Sequence, residues 1–272
     1  MISSPVTHLP AHLGLLSSLA GAALKAGAAI LRIRAEGMAI ARKADESPVT
    51  AADLASEEVL RAELERLLPG VPVIAEEAVA QGRGETPADT FLLVDPLDGT
   101  REFISSSGEF TVNIGLVEAG VPTFGIVLAP AMNTLYAGAV TAAGGGAFLA
   151  GPHARPASWT AIRCRPMPDK GRIAVASRSH LDPETAAFLA EREIAETISC
   201  GSALKFGLVA EGRADLYPRF GTVCEWDVAA GHAVVRAAGG CVRRPDGSAL
   251  PYARTEDSYR VHGFIASGAE AR

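Results

Sequence analysis

The sequence predicts an α+β fold, with helices and a mostly antiparallel sheet over residues 1–155 followed by a smaller, mixed α/β half over 156–272. Three features carry that expectation: two helical repeats near the N-terminus, a series of short strand-like runs behind them, and strand and helix patterns that alternate toward the C-terminus. A chain of 272 residues, 48% hydrophobic and 21% charged, is long enough to bury a substantial core and is neither disordered nor fibrous.

Residues 11–36 read as a long, Ala-rich helix. Its uncharged stretch 13–24 resembles a signal-peptide core, but only histidines precede it as basic groups, and Lys25, Arg32 and Arg34 interrupt it short of the roughly 20 apolar residues a membrane span needs. A helix packed on a sheet is therefore expected, with no transmembrane segment. Residues 54–68 repeat the helical pattern, with Leu54, Leu60, Leu64, Leu67 and Leu68 on one broad face, and Pro69-Gly70 stops them. Strand-like runs follow at 71–75, 91–94, 111–117, 123–128, 135–140 and 147–150, two of them joined as a hairpin by the turn at 118–122.

Periodicity lapses over the Pro- and Arg-rich stretch 151–170, which marks the boundary between the halves. Beyond it come a strand at 172–176, a helix opened by Asp182-Pro183, a strand at 197–200, a helix at 202–211, a strand at 214–217, a helix at 226–238 closed by Gly239-Gly240, and two final strands.

Composition narrows the function. Twenty-five Lys and Arg against 31 Asp and Glu leave a net charge of −6 with the basic residues scattered, which argues against binding a nucleic-acid polymer. The four cysteines, Cys164, Cys200, Cys224 and Cys241, show no Cys-x-x-Cys spacing and suit reduced thiols in the cytoplasm.

The densest chemical signal is Val94-Asp95-Pro96-Leu97-Asp98-Gly99-Thr100. A hydrophobic strand ends there in two carboxylates that repel each other unless a cation sits between them, and Gly99 and Thr100 can open a helix whose amides hold an anion. Cations beside a phosphate cradle suit metal-assisted phosphoryl chemistry; two successive tight turns would use the same residues. Glu76-Glu77 stands at a strand end, as a ligand pair or a solvated loop. Asp227 and Asp53 each precede or open a helix, as a cap or as a carboxylate aimed into a site.

Taken together, these segments resemble the inositol-monophosphatase-like superfamily of magnesium-dependent, lithium-sensitive phosphatases, over nearly the whole chain. The matching positions are Thr50 and Asp53, Glu76 and Glu77, Asp95 through Thr100, and Trp226 through Gly231, all in family order. Within it, the stretches 98–104, 108–114, 177–180, 201–206, 210–219 and 226–232 are similar to the 3'(2'),5'-bisphosphate nucleotidase branch, with Arg101 where relatives commonly carry Lys. The resemblance implies a layered α/β/α/β/α sandwich. It implies two or three Mg²⁺ ions held by Glu76, Asp95, Asp98, Asp227 and the Leu97 carbonyl. Asp53, Thr100 and Glu76 act as the catalytic groups, Thr100 orienting a water for in-line attack on a 3'-phosphate held by Gly99 and Thr100.

A substrate with two phosphates also needs cations outside the metal cluster, and Lys205 and Arg219 can supply them, with Ser202 and His180 beside them. Ser202 and Lys205, spaced i and i+3, are expected on one helix face, and Tyr217 and Arg219 on one side of a strand. The implied substrate is 3'-phosphoadenosine 5'-phosphate, together with its sulfate-carrying analogue, hydrolysed to AMP or adenylyl sulfate and phosphate. Competing readings are an inositol monophosphatase, a fructose-1,6-bisphosphatase or a non-catalytic nucleotide sensor; the intact set of mutually repelling acids argues against the last. The implied enzyme is a cytoplasmic monomer or homodimer, free or loosely associated with the inner membrane.

Overall fold

The computed structural model describes residues 11–36, 40–42, 48–105, 107–151, 156–179 and 181–269. Helix α1 (Ala11–Glu36) leads to the paired strands β1 (Ile40–Arg42) and β2 (Pro48–Thr50), then to α2 (Ala51–Leu67), β3 (Val73–Ala75) and α3 (Glu76–Ala80). Next come β4 (Thr90–Asp98), α4 (Thr100–Ile104), β5 (Thr111–Glu118), β6 (Val121–Ala129), β7 (Thr134–Thr141), β8 (Gly144–Ala150) and β9 (Thr160–Ile162). The second half comprises β10 (Arg172–Ser177), α5 (Pro183–Ala190), β11 (Ile194–Cys200), α6 (Leu204–Ala210), β12 (Leu216–Arg219), β13 (Val223–Cys224) and α7 (Glu225–Ala237). It closes with β14 (Cys241–Arg243), β15 (Arg260–Val261) and β16 (Phe264–Ser267).

Strands β3 to β9 form a seven-stranded sheet in chain order, antiparallel except for the parallel β3–β4 pair. A five-stranded mixed sheet has the order β11-β10-β12-β16-β14. Alternation along β4 sorts the core: Leu92 and Val94 join the cluster with α1 and α2, whereas Phe91 and Leu93 join the cluster with α6 and α7. The resulting layers are α1 and α2, the large sheet, α6 and α7, the smaller sheet, and α5 outside, the expected α/β/α/β/α sandwich. The large sheet runs past residue 155, since β9 pairs with β8, and α7 of the second half packs on β5, β6 and β7. One continuous core of Phe91, Tyr136, Val175, Phe206 and Phe264 thus spans both halves. The apolar α1 buries Leu16, Leu19, Ala23, Ala26 and Ile30 inside this fold.

Several local expectations shift. Helix α2 starts at Ala51, behind a Thr50 cap, and its inner face carries Asp53, Ser56 and Glu57 as well as Leu60 and Leu64. Leu54 lies off that face and is 47% exposed, contrary to its expected place in the apolar stripe. The polar inner residues are spent on the site described below. Strand β4 continues through Asp98 with a shift of register between Asp95 and Asp98, so the acids lie on an irregular strand end and not on two tight turns. Ser202 precedes α6 and is not on it. Strand β12 begins two residues later than expected and so includes Arg219. The hairpin between β5 and β6 turns on Ala119 and Gly120, both at positive φ, the conformation a tight two-residue turn requires.

Helix α7 lies unusually close to the large sheet. Gly115, Gly125 and Gly138 are cross-strand neighbours beneath it. A Cβ on Gly125 would stand 2.1 Å from the Ala230 carbonyl oxygen, and one on Gly138 would stand 2.6 Å from the Val234 Cα. Both obstacles are backbone, so the helix itself must move. We expect Gly125→Ala to cost about 2–3 kcal/mol in urea unfolding. An unchanged midpoint would show that α7 can slide without loss.

Candidate active site

The site grows from the end of β4. Asp95 continues the alternation of Phe91 and Leu93 and so falls on the side covered by α7. Its Oδ1 accepts the Leu97 N–H at 2.9 Å, and Ser56 Oγ donates to the Pro96 carbonyl at 2.7 Å, tying the bend to α2. Gly99 follows at φ 89°, a left-handed conformation, with its α-carbon facing Glu102, Glu109 and Ser202 too closely for a larger side chain to fit without displacement. Helix α4 then opens at Thr100.

Three further site carboxylates share the device seen at Asp95: backbone N–H groups hold one oxygen and leave the other to the site. Asp227 is the third residue of α7, and its Oδ2 accepts the Cys224 N–H at 2.8 Å. Asp53 holds the same position in α2, its Oδ2 accepting the Thr50 N–H at 2.8 Å while Oδ1 accepts the Thr100 hydroxyl at 3.3 Å. Both belong to capping boxes, the partner residue being the cap itself. Asp98 Oδ2 accepts the Ala203 N–H at 2.6 Å and lies 3.4 Å from both Thr111 Oγ1 and Asn113 Nδ2.

Glu76, Asp95 and Asp227 each bring an oxygen within 4.8 Å of the others. Asp98 lines the same cavity. Burial first, then the charges of Glu76, Asp98 and Asp227, raises the Asp95 pKa well above its ordinary value. Burial, Asp98 and Glu76 push Asp227 up to about 8. Asp98 is raised chiefly by burial, against the opposing charge of Lys205. Hard, partly to fully buried oxygen donors that repel one another are the donor set a small divalent cation satisfies, so these residues fit a metal centre.

Basic groups share the cavity with these acids. The cavity, about 490 Å³, is lined by Glu76, Asp95, Leu97, Asp98, Gly99 and Thr100 together with Ser202, Lys205, Tyr217 and Arg219. That volume is typical of a small-molecule site. Lys205 is 3% exposed; its Nζ donates to the Ser202 carbonyl at 2.5 Å and to the Cys200 carbonyl at 3.3 Å, and lies 5.2 Å from the Tyr217 ring centroid. Burial lowers its pKa, and the neighbouring Asp98 opposes that shift. Ser202 Oγ is buried with no hydrogen-bond partner. His180 lies outside the described residues.

A model of the inositol monophosphatase family matches residues 15–271, nearly the entire chain. The chain belongs to the inositol monophosphatase family. Among its relatives, the 3'(2'),5'-bisphosphate nucleotidase CysQ of Escherichia coli strain K12 is 43% identical over 255 residues, covering 93% of this chain and 99% of the relative. The protein of the same name from Buchnera aphidicola is 36% identical, covering 84% and 83%. Among solved structures, CysQ from Bacteroides thetaiotaomicron, a bacterial member of the family, superposes with a TM-score of 0.76 at 36% identity, covering 93% of this chain and 96% of that one. An inositol monophosphatase from Anabaena gives 0.69 at 28% identity, with coverages of 94% and 91%.

Some residues that shape this family site were not singled out as site members from the sequence. Glu57 accepts the Glu77 N–H at 2.7 Å and so anchors the start of α3, where Glu76 stands. Asn113 pairs across the sheet with Asp95, and Thr111 with Asp98. A polar side chain inside the otherwise apolar run of β5 was the available signal for both.

Proposed function

We infer that this chain is a Mg²⁺-dependent 3'(2'),5'-bisphosphate nucleotidase that removes the 3'-phosphate of 3'-phosphoadenosine 5'-phosphate, giving AMP and inorganic phosphate, and that acts likewise on 3'-phosphoadenylyl sulfate. The observation that carries this reading is the mixed lining of one cavity. Acids fit for cations share it with a buried lysine, an arginine and an unpartnered buried hydroxyl, as a substrate with two separate phosphates requires. The CysQ relatives support the same assignment.

Glu76, Asp95, Asp98, Asp227 and the Leu97 carbonyl would hold two or three cations. When bound, these neutralise the phosphate and lower the pKa of an attacking water. The chain supplies the rest. Helix geometry leaves the first amides of α4 without acceptors, and Gly99 and Thr100 offer theirs to the 3'-phosphate. Thr100, donating to Asp53, accepts a hydrogen bond from the water and orients it in line with the P–O3' bond. Water oxygen bonds to phosphorus as its proton passes to Thr100 Oγ1, whose own proton moves to Asp53; the P–O3' bond breaks, and the ribose oxygen leaves and takes a proton from solvent. Lys205, Arg219, Ser202 and His180 take the 5'-phosphate and fix the nucleotide. The four thiols, all free, suit a reducing cytoplasm.

The test is phosphate release across a panel of nucleotide bisphosphates, inositol monophosphate and fructose 1,6-bisphosphate, with Mg²⁺ and with excess chelator. The expected result is a strong preference for 3'-phosphoadenosine 5'-phosphate, abolished by chelation. Turnover in chelator equal to that with Mg²⁺ would remove the metal assignment, and a preference for inositol monophosphate would remove the nucleotidase assignment.

A further inference from the structure

The turn between β11 and α6 is held in a conformation its own sequence does not favour. Ser202 sits at φ 45°, a left-handed backbone that costs a non-glycine residue free energy and persists only where surrounding contacts enforce it. Four backbone groups of this turn are held by side chains. Lys205 Nζ takes the Cys200 and Ser202 carbonyls, Asp98 takes the Ala203 N–H, and Glu109 Oε2 takes the Gly201 N–H at 2.8 Å.

Lys205 and Asp98 already belong to the site; Glu109 does not line the cavity. It stands just before β5, in the half that carries most of the acids. Its other oxygen, Oε1, accepts from Arg178 Nη2 at 2.8 Å, and the same guanidinium nitrogen donates to the Ser199 carbonyl at 2.9 Å. The Glu109 side chain is only 15% exposed, so water is a poor substitute for its bond to the Gly201 amide, while the Arg178 side chain is 47% exposed. The fit leaves no slack: a Cβ on Gly201 would fall 2.7 Å from the Glu109 carbonyl oxygen and 2.9 Å from its Cβ. Nearby, Glu102 Oε1 accepts the Ser179 hydroxyl at 2.6 Å, a second link in the same direction.

We propose that Glu109 is a positioning residue for substrate recognition: by gripping the Gly201 amide and Arg178 together, it seats the 199–203 turn against the acid half and sets the distance between the cation centre and Ser202 and Lys205. The proposal rests on the reading of Ser202 and Lys205 as part of the site of the second phosphate. A nucleotide bisphosphate reaches both the acids and the turn, so a loosened turn weakens its binding; a small monophosphate held by the acids and by Gly99 and Thr100 does not use the turn.

Three variants test this, Glu109→Ala, Glu109→Gln and Arg178→Ala, each assayed with 3'-phosphoadenosine 5'-phosphate and with a small aryl monophosphate. Hydrogen exchange of the Gly201 amide in the full-length protein is measured in parallel. Glu109→Ala is expected to raise KM for the bisphosphate about tenfold with a much smaller change in kcat, to leave the monophosphate KM near wild type, and to speed Gly201 exchange at least tenfold. Glu109→Gln keeps an acceptor for the amide and is expected to restore slow exchange and part of the KM; Arg178→Ala should lie between. Unchanged Gly201 exchange in Glu109→Ala would overturn the proposal, as would equal losses on both substrates accompanied by a lower melting temperature. If the wild-type protein instead ignores the bisphosphate, the nucleotidase reading fails, and the exchange measurement still decides whether Glu109 holds the turn.

Discussion

Asp95→Asn is expected to lower kcat/KM for 3'-phosphoadenosine 5'-phosphate by about a thousandfold or more while making the cation-free protein more stable. On the proposed reading of the site, Asp95→Asn removes one cation ligand of a centre whose charge stabilisation is worth several kcal/mol, at about 1.4 kcal/mol per tenfold in rate. The fold should survive, because the asparagine Oδ1 can still accept the Leu97 N–H. The gain in stability follows from the sign of the pKa shifts. Burial, then Glu76, Asp98 and Asp227, raises Asp95 above its unfolded value of about 3.9, and Asp227 titrates near 8. Groups raised in this way favour the folded state most below the unfolded value, and that contribution is lost as pH rises through the folded one.

The cation-free protein should therefore be most stable, as far as these acids decide it, near pH 4 and lose stability toward pH 8, with saturating Mg²⁺ removing the decline. At pH 8, Asp95→Asn removes an acid that is harder to ionise folded than unfolded, so the cation-free melting temperature should rise by about 2–4 °C. Mg²⁺ should then raise it far less than in wild type. Calorimetry with and without the cation, beside steady-state kinetics, measures both effects. A variant within tenfold of wild-type kcat/KM would show that Asp95 is not at the centre.

Arg219→Ala is the second large effect, and it separates the nucleotidase from its relatives in the family. Arg219 lines the same cavity as the acids, its Nε 3.3 Å from the Gly221 carbonyl. Losing one charge-assisted contact to the 5'-phosphate costs about 1.5–3 kcal/mol, roughly tenfold to a hundredfold in kcat/KM for the bisphosphate. Hydrolysis of inositol monophosphate or another small monophosphate should change little, since the acids and the Gly99-Thr100 amides remain. Measuring kcat/KM for both substrates in both proteins gives the answer. Equal losses would place Arg219 in the common machinery of the family and withdraw its role in reading the second phosphate.

The chemistry of the site was legible as residue types at strand ends. Asp95 and Asp98 at the end of an apolar run, Glu76 after another and Asp227 opening a helix are local patterns, and local patterns survive without knowledge of the fold. The order of helices and strands was legible for the same reason, since periodicities of 3.6 and 2 record which face of each element is buried. Glycine and proline punctuation marked the hairpin at Ala119-Gly120 and the end of α2.

What only the tertiary structure decided depends on pairs far apart in the chain. The polar inner face of α2 breaks the simple apolar stripe because Ser56 and Glu57 hold groups 40 and 20 residues away, and Leu54 turns outward as a result. By sequence, Asp53 and Asp227 are each either a helix cap or a site acid. Each carboxylate does both, one oxygen on the backbone and the other in the site, a division that no spacing rule reveals. Ser202, by periodicity a helix residue beside Lys205, is instead drawn into a left-handed turn by Asp98 and Glu109 from the other half. Nor could the approach of α7 to the glycines of β5, β6 and β7 be read from any one of those segments, although it sets Asp227 against Asp95. A sequence specifies which groups an element can offer and on which face; which of them meet is settled by how closely separate elements pack, a property of the assembled core.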